Sequence, residues 1–292
     1  MPKTKKSRCA IIGGSQGFRT IEKLENCSII EPIETPFGLS APVRKINMGD
    51  TEIFFLSRHG ELGYSISAPF VNYRANIWAL KELNVKRIIA WSGPGAIDPS
   101  IPIGDILVPG DIIDETKDRA YTFFEGLGIG FIRQNPVFCP ELSESLKQII
   151  ESRIGHCRIE DVYVCTQGPR LETRAEIRKF ASYGGTLVGM TLVPEAFLAK
   201  ELEMCYCPIC YVTNYAEGVM ERKYEPGKLF EGLLTDEEKT RVDAAVEMLP
   251  SIAIEALIAS ESPQCRCHLA MERYRRRGDI GEDWHTWIHK TK

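Results

Sequence analysis

Apolar residues in this chain fall into short runs, and most runs stop at glycine, a hydroxyl residue or a charge. Residues 9–14 (CAIIGG) form a β-branched run that meets Gly13-Gly14-Ser15-Gln16-Gly17. Residues 43–49 and 52–58 read as a hairpin across Gly49-Asp50, and its second strand ends at Ser57-Arg58-His59-Gly60. A strand over 88–91 ends at Ser92-Gly93-Pro94-Gly95; others are predicted over 106–113 and 161–166, the latter leading into Gln167-Gly-Pro-Arg-Leu-Glu-Thr173. Helical periodicity marks 71–84, 141–154, about 173–183 and one long segment, 236–260. Residues 115–137 and 216–235 have no clean period and read as long loops, which in compact domains are often functional or lie at interfaces.

The stretch from Met190 to Asn214 organises the rest. An apolar run ends at Met190-Thr191, Pro194-Glu195 opens a short amphipathic segment over 193–203, and a second apolar run (205–212) ends in Thr213-Asn214. Strand, helix and strand with polar residues at both strand ends is how an open α/β sheet presents a ligand crevice, although an ordinary βαβ unit has the same pattern. Four strand ends in all carry donors: Ser15, Arg58-His59, Ser92 and Thr191. Strands that point the same way bring such ends together, and arginine, histidine, hydroxyls and glycine N–H groups make a cup for a phosphate-sized anion. Read singly, Gly13-Gly14 is a tight turn and Arg58-His59 a salt bridge at a loop. No P-loop, kinase set, G-x-S-x-G elbow or H-E-x-x-H occurs, so ATP use, serine hydrolysis and zinc proteolysis lack support.

Composition narrows this further. With 292 residues, 43% of them hydrophobic, the chain can bury one large core; no linker divides it, so we expect one domain over 1–262 and a loosely attached tail or helix over 263–292 as a subunit contact. A net charge of −4 favours neither nucleic acid nor an anionic membrane, and no apolar run approaches a bilayer span. The basic N-terminus lacks the long apolar region of a secretory signal, so the expected location is cytoplasmic. Ten cysteines include Cys205-Tyr-Cys207-Pro-Ile-Cys210 and Cys265-Arg-Cys267-His268. Inert buried thiols, disulfides and a zinc site all fit that spacing; strand alternation over 205–210 speaks against zinc, and no metal is assigned to the crevice.

Taken together, Gly13-Gly14-Ser15, Thr35-Pro-Phe-Gly38, Ser57-Arg-His-Gly60, Asn72-Tyr-Arg-Ala-Asn76, Gly104-Asp-Ile106, Gly168-Pro-Arg-Leu-Glu-Thr173, Gly189-Met-Thr-Leu-Val-Pro-Glu195 and Thr213-Asn214 resemble the trimeric purine nucleoside phosphorylase / methylthioadenosine phosphorylase family from Cys9 to about Leu257. The resemblance implies an α/β fold, a single domain with a central twisted mixed β-sheet flanked by helices. It also implies a purine-salvage reaction, phosphorolysis of a purine (deoxy)ribonucleoside to free base and pentose 1-phosphate. No cofactor is expected beyond inorganic phosphate as co-substrate, and a homotrimer or dimer of trimers is implied.

Carried over by position, Ser15, Arg58, His59, Ser92 and Thr191 would hold phosphate, and Met190 would pack under the ribose. Gly93, Pro94, Leu171, Thr213 and Asn214 would line base and sugar, and Phe131 would reach a neighbour's site. Asn214, Glu172 and His59 are the catalytic candidates. Pro94 and Leu171 depart from the family, which usually has Ala and a stacking Phe there. Glu172 can accept from N1–H of a 6-oxopurine and Asn214 can donate to O6 or N7, whereas adenine-preferring members carry Asp at the positions of Asn214 and Ala216. Against this, Ser57–Gly60 and 71–82 look closer to the methylthioadenosine branch. Inosine or guanosine is therefore expected, with 5′-methylthioadenosine or 5′-methylthioinosine as alternatives. A water-using nucleosidase and a non-catalytic purine- or phosphate-binding protein are the other readings. The resemblance also offers disulfides for the C-x-C pairs, as in heat-stable family members.

Overall fold

The computed structural model describes residues 7–14, 21, 27–61, 64–222, 226–260 and 264–288. Strand β1 (Ser7–Gly13) lies between β6 (Thr51–Ser57) and β7 (Arg87–Ser92), all parallel, and β13 (Cys205–Tyr211) continues the parallel set beyond β7. These strands are buried almost throughout, which explains their continuous rather than alternating apolar runs. β2 (Cys27–Ile30) and β5 (Val43–Met48) extend one edge antiparallel, the 43–58 hairpin turning at Gly49-Asp50 as expected. β9 (Ile106–Leu107) closes the other edge, giving the order β2-β5-β6-β1-β7-β13-β9.

A second sheet contains β8 (Gly95–Ala96), β10 (Asp111–Glu115), β11 (Val162–Thr166), β12 (Leu187–Gly189) and β14 (Asn214–Tyr215). Its order is β10-β11-β12-β8-β14. A small hairpin, β3 (Glu34–Thr35) with β4 (Gly38–Leu39), stands apart. The chain crosses between the two main sheets immediately after β7 and again after β13. The crevice where they part is therefore lined by the carboxyl ends of the parallel strands. The α/β class and mixed sheet agree with the expectation.

Among the described residues the α-helices include α1 (Tyr73–Glu82), α2 (Pro140–Ile154), α3 (Arg174–Ser182), α4 (Glu195–Glu201), α5 (Asp236–Ala259) and α6 (Glu272–Arg277). Local chemistry sets their starts. The Asn72 side chain accepts from Ala75 N–H, and Thr173/Glu176 and Thr235/Glu238 form reciprocal capping boxes. Among the described residues no helix is long and apolar enough to cross a membrane.

Two expectations fail. The run 106–113 is two strands in different sheets, broken at Pro109-Gly110. Gly110 lies so close to the next segment that a Cβ there would meet the Ile159 carbonyl oxygen at 2.5 Å. The tail is also not loose: Cys265, Met271, Tyr274, Ile280 and Trp287 are buried in the main core, and Trp284 packs on Trp78 with ring centroids 4.6 Å apart.

Pro208 in the interior of β13 has a simple account. Tyr206 turns its carbonyl away from β7 to accept from Cys139 N–H at 2.8 Å, and Pro208 two residues on faces the same way. There β9 pairs only with Cys210 and Tyr211, so no ladder bond is lost to the missing N–H.

Candidate active site

The crevice is built first from backbone. β1 ends at Gly13, where a Cβ would drive into Trp91 Nε1 at 2.3 Å, so only glycine lets β7 lie this close. The β1/β6 ladder runs on through Arg58 N–H to Gly13 carbonyl at 3.0 Å, which fixes Arg58 and His59 at the mouth of the sheet. Ser15 lies outside the described residues; Gly14, just before it, sits beside the Cδ2 edge of His59.

Arg58 is 2% exposed. Its Nε and Nη2 donate to the two oxygens of Glu195 at 3.0 and 2.7 Å, and its Nη1 donates to the Trp91 carbonyl at 3.0 Å. Tyr206 Oη donates to the same carboxylate at 2.7 Å. Burial works against the charge on Arg58, but the Glu195 carboxylate outweighs it and holds the guanidinium above its ordinary value. Of the five N–H groups a guanidinium carries, these bonds occupy three, leaving two for another acceptor. The salt-bridge reading of Arg58 was thus right about a carboxylate and wrong about the place: the pair is buried, at the opening of α4.

His59 is buried, and its Nδ1 lies 2.8 Å from the Ile66 carbonyl. A carbonyl can only accept, so Nδ1 carries the proton. Burial first, then the Arg58 charge, push the imidazole down to about 4, so the ring is neutral at pH 7 and its Nε2 is an acceptor. Tyr64 stacks on the ring with centroids 4.1 Å apart.

Ser92 Oγ lies 3.2 Å from Thr191 Oγ1 and 3.0 Å from Tyr163 Oη. A hydroxyl from the first sheet thus meets one from the loop after β12 in the second. Gly189 permits this, since a Cβ there would meet Tyr163 Oη at 2.0 Å. Arg58, His59, Ser92 and Thr191 are all buried at or just past strand ends: Arg58 and His59 after β6, Ser92 at the end of β7 and Thr191 after β12.

The rim around this cup is less enclosed. Thr213 N–H donates to the Pro94 carbonyl at 3.0 Å, and Asn214 pairs with Gly95 across β14/β8, so Gly93, Pro94, Thr213 and Asn214 form one wall. Asn214 accepts from Thr213 Oγ1 at 2.6 Å and donates through Nδ2 to the Tyr215 carbonyl at 2.8 Å. Thr166 Oγ1 donates to Glu172 and lies 3.4 Å from the Gly189 carbonyl, bringing Glu172 to the end of β12. Glu172 also lines an open polar cleft of about 280 Å³ with Gln167, Gly168 and Lys179; the cup residues do not line it. Met190 packs on Gly168, whose φ of +64° favours glycine; a Cβ there would also displace Met190 Sδ, which lies 2.5 Å from that position. Leu171 is 38% exposed. Phe131 is 81% exposed on the long loop and is not in the crevice of its own chain; its N–H donates to Tyr274 Oη at 2.7 Å.

Sequence reasoning missed three residues. Glu195 passed as a helix-start acid, and Tyr163 as strand filling. Arg119, in the loop without a period, is buried and spans both site loops. Its Nη1 donates to the Met190 and Val193 carbonyls, its Nη2 to those of Thr166 and Gln167, and its Nε to the Gln167 side chain. An arginine just before the aromatics Tyr121, Phe123 and Phe124 in an aperiodic loop was the only available signal.

Comparison with known proteins identifies the family. The chain is 39% identical over 254 residues to the 6-oxopurine nucleoside phosphorylase of Pyrococcus furiosus, covering 83% of this chain and 93% of that protein. It is 41% identical over 247 residues to a probable S-methyl-5′-thioinosine phosphorylase of Methanothermobacter thermautotrophicus, covering 82% and 83%. A crystal structure of a methylthioadenosine phosphorylase from an Antarctic soil metagenomic library superposes with a TM-score of 0.77 at 30% identity, covering 91% of each chain. The model of the phosphorylase superfamily matches residues 8–258, from the first strand to the end of α5, and the chain belongs to that superfamily.

Proposed function

We propose that this protein is a purine nucleoside phosphorylase that prefers 6-oxopurine nucleosides such as inosine and guanosine. The observation that carries the reading is the buried Ser92–Thr191 contact, with Arg58 bonded to the carbonyl of Trp91 just before Ser92 and neutral His59 following Arg58. The hydroxyls and the two remaining Arg58 N–H groups would donate to phosphate, and His59 Nε2 would accept from its protonated oxygen. Inorganic phosphate is the co-substrate, and no organic cofactor enters the reaction.

The chemistry follows from that placement. A phosphate oxygen forms a bond to C1′ as the C1′–N9 bond breaks, and the electron pair leaves with the purine. Asn214 would stabilise the charge gathering on the ring by donating towards N7 or O6, and Glu172 would accept from N1–H. In this structure both side chains are held by neighbouring hydroxyls, Thr213 and Thr166, which keeps them oriented before substrate arrives. Phe131, exposed and carried on a loop tied to Tyr274, would cover the sugar of a neighbouring subunit in a homotrimer or dimer of trimers.

The test is hypoxanthine release from inosine with and without phosphate, alongside adenine release from methylthioadenosine. Phosphate-dependent hypoxanthine release supports the proposal. Adenine release alone would overturn the base assignment, and release without phosphate would overturn phosphorolysis. The 41% identical thioinosine phosphorylase relative favours a second reading at the 5′ position, and methylthioinosine belongs in the same panel.

A further inference from the structure

Four sulfurs from three distant parts of the chain meet at the opposite end of β13 from the crevice. Cys139 precedes the first turn of α2, Cys205 opens β13, and Cys265 and Cys267 lie in the C-terminal tail. Their Sγ atoms all lie within 4.8 Å of one another, with Cys205 and Cys265 at 3.3 Å, and three of the four residues are buried. Four sulfurs at the roughly 2.3 Å bond length of tetrahedral zinc stand about 3.8 Å apart, inside that range. We propose that Cys139, Cys205, Cys265 and Cys267 form a structural zinc site that fastens the C-terminal tail to the sheet.

The surroundings suit thiolates. Cys139 sits at the N-terminus of a 15-residue helix and its sulfur receives the N–H groups of Glu141 and Leu142, donors that suit a metal-bound thiolate. The Lys200 ammonium is close enough to Cys139 and Cys267 to feel their charge. On binding, four S–H bonds break, four Zn–S bonds form, and four protons pass to solvent; the resulting 2− centre is partly balanced by Lys200 and the helix N-terminus. The expectation that strand alternation would prevent a site holds for Cys207, whose sulfur turns to Ser143 Oγ at 3.2 Å. It fails for Cys205, because the other ligands come from outside the strand.

Two disulfides are the chemical competitor. The four sulfurs lie within 4.8 Å of one another rather than in two separated pairs, and the Cys205–Cys265 contact of 3.3 Å is non-bonded. A closed, buried set of four thiolates away from the crevice suits an ion without redox chemistry, whose role is structural. What it would hold is definite. Beyond the ligands, Arg275 pairs with Glu203, Met271 N–H donates to Glu203 at 3.0 Å, and Tyr274 anchors the loop carrying Phe131.

The test uses the full-length, untagged protein purified without chelators. Metal analysis should find one zinc per chain, and the intact mass under denaturing, non-reducing conditions should correspond to ten thiols. A mercurial reagent should release that zinc, lower the thermal midpoint, and be reversed by thiol plus zinc. Cys265→Ser with Cys267→Ser should abolish zinc retention, while Cys210→Ser should keep it. A mass short by the hydrogens of one or two disulfides would overturn the proposal, as would thiols without metal, or iron in place of zinc. A midpoint unmoved by zinc release would overturn the fastening role. The wild-type metal content and mass decide the matter even if the double variant does not fold.

Discussion

Arg58 and Ser92 lie almost wholly inside the protein at the ends of β6 and β7, whereas Leu171, Glu172 and Asn214 stand on a partly open rim. The cup is held by partners far away in sequence: Arg58 by Glu195, Ser92 by Tyr163 and Thr191. The rim is held mostly by its own neighbours: Asn214 by Thr213 and Tyr215, Glu172 by Thr166. Changing a cup residue therefore disturbs several strands at once, while changing a rim residue leaves the scaffold standing. Phosphate recognition on this reading is rigid and common to the reaction, and base recognition is where related sites can diverge.

The sharpest way to break the comparison is at Arg58. Arg58→Met strands the Glu195 carboxylate in the core, and unpairing a buried ion pair costs about 3–5 kcal/mol. Unfolding by denaturant should register that loss, and phosphorolysis should fall about 10²–10³-fold with the loss of a preorganised donor. Adding Glu195→Gln should recover much of the stability and none of the activity. Recovery of activity in the double variant would remove Arg58 from the cup.

Arg119 should give the next largest effect, because it ties the two site loops to each other through four carbonyls. Arg119→Leu leaves four buried carbonyls short of a donor, with a stability loss of about 3 kcal/mol. Small displacements of Met190 and Thr191 should lower kcat about 10²-fold. Arg119→Lys, which cannot bridge four carbonyls, should recover only part of it. An unchanged kcat in Arg119→Leu would mean the loops hold without it.

These two residues also mark how far sequence reading reaches. The strand ends Gly13-Gly14, Arg58-His59, Ser92 and Thr191 were legible because a buried run that stops at a donor is a local pattern. Glu195 was in view but its partner was not, since Arg58 lies 137 residues away and nothing local joins them. Arg119 had no periodicity to give it a face. The break inside 106–113 was written in Pro109-Gly110, a turn signal that the apolar residues on both sides obscured. The tail misled in another way: it was expected to be loosely attached, but Arg275 turns inward to Glu203 and Tyr274 is buried.

On the rim the expected effects are smaller and selective. Asn214→Asp should lower the inosine rate while raising activity on adenosine-type nucleosides, moving the ratio of the two kcat/KM values by about 10–100-fold. Glu172→Gln should lower inosine activity without the gain. The thermal midpoints of both variants should stay near that of the parent. A large fall in midpoint for either would erase the distinction between cup and rim.

The mildest test uses proton linkage, because the cup and the long loop each bury a group whose titration is shifted. His59 titrates at about 4 against an ordinary 6.5, so between those values the unfolded chain binds the extra proton. Its contribution is present above pH 6.5 and is lost as pH falls towards 4. Glu201 accepts from Thr122 Oγ1 and Phe123 N–H, and burial pushes it up from 4.5 to about 7. There the folded chain binds the extra proton, so the contribution is present below pH 4.5 and is lost as pH rises through 7. Each slope is at most about 1.4 kcal/mol per pH unit, and over pH 4.5–6.5 they oppose each other. Their shares of the parent's pH dependence in that window should therefore largely cancel. At fixed protein concentration, His59→Gln should make unfolding midpoints fall more steeply with rising pH than in the parent, and Glu201→Gln should make them rise. If both variants kept the parent's profile, neither group would be buried in the form assigned to it.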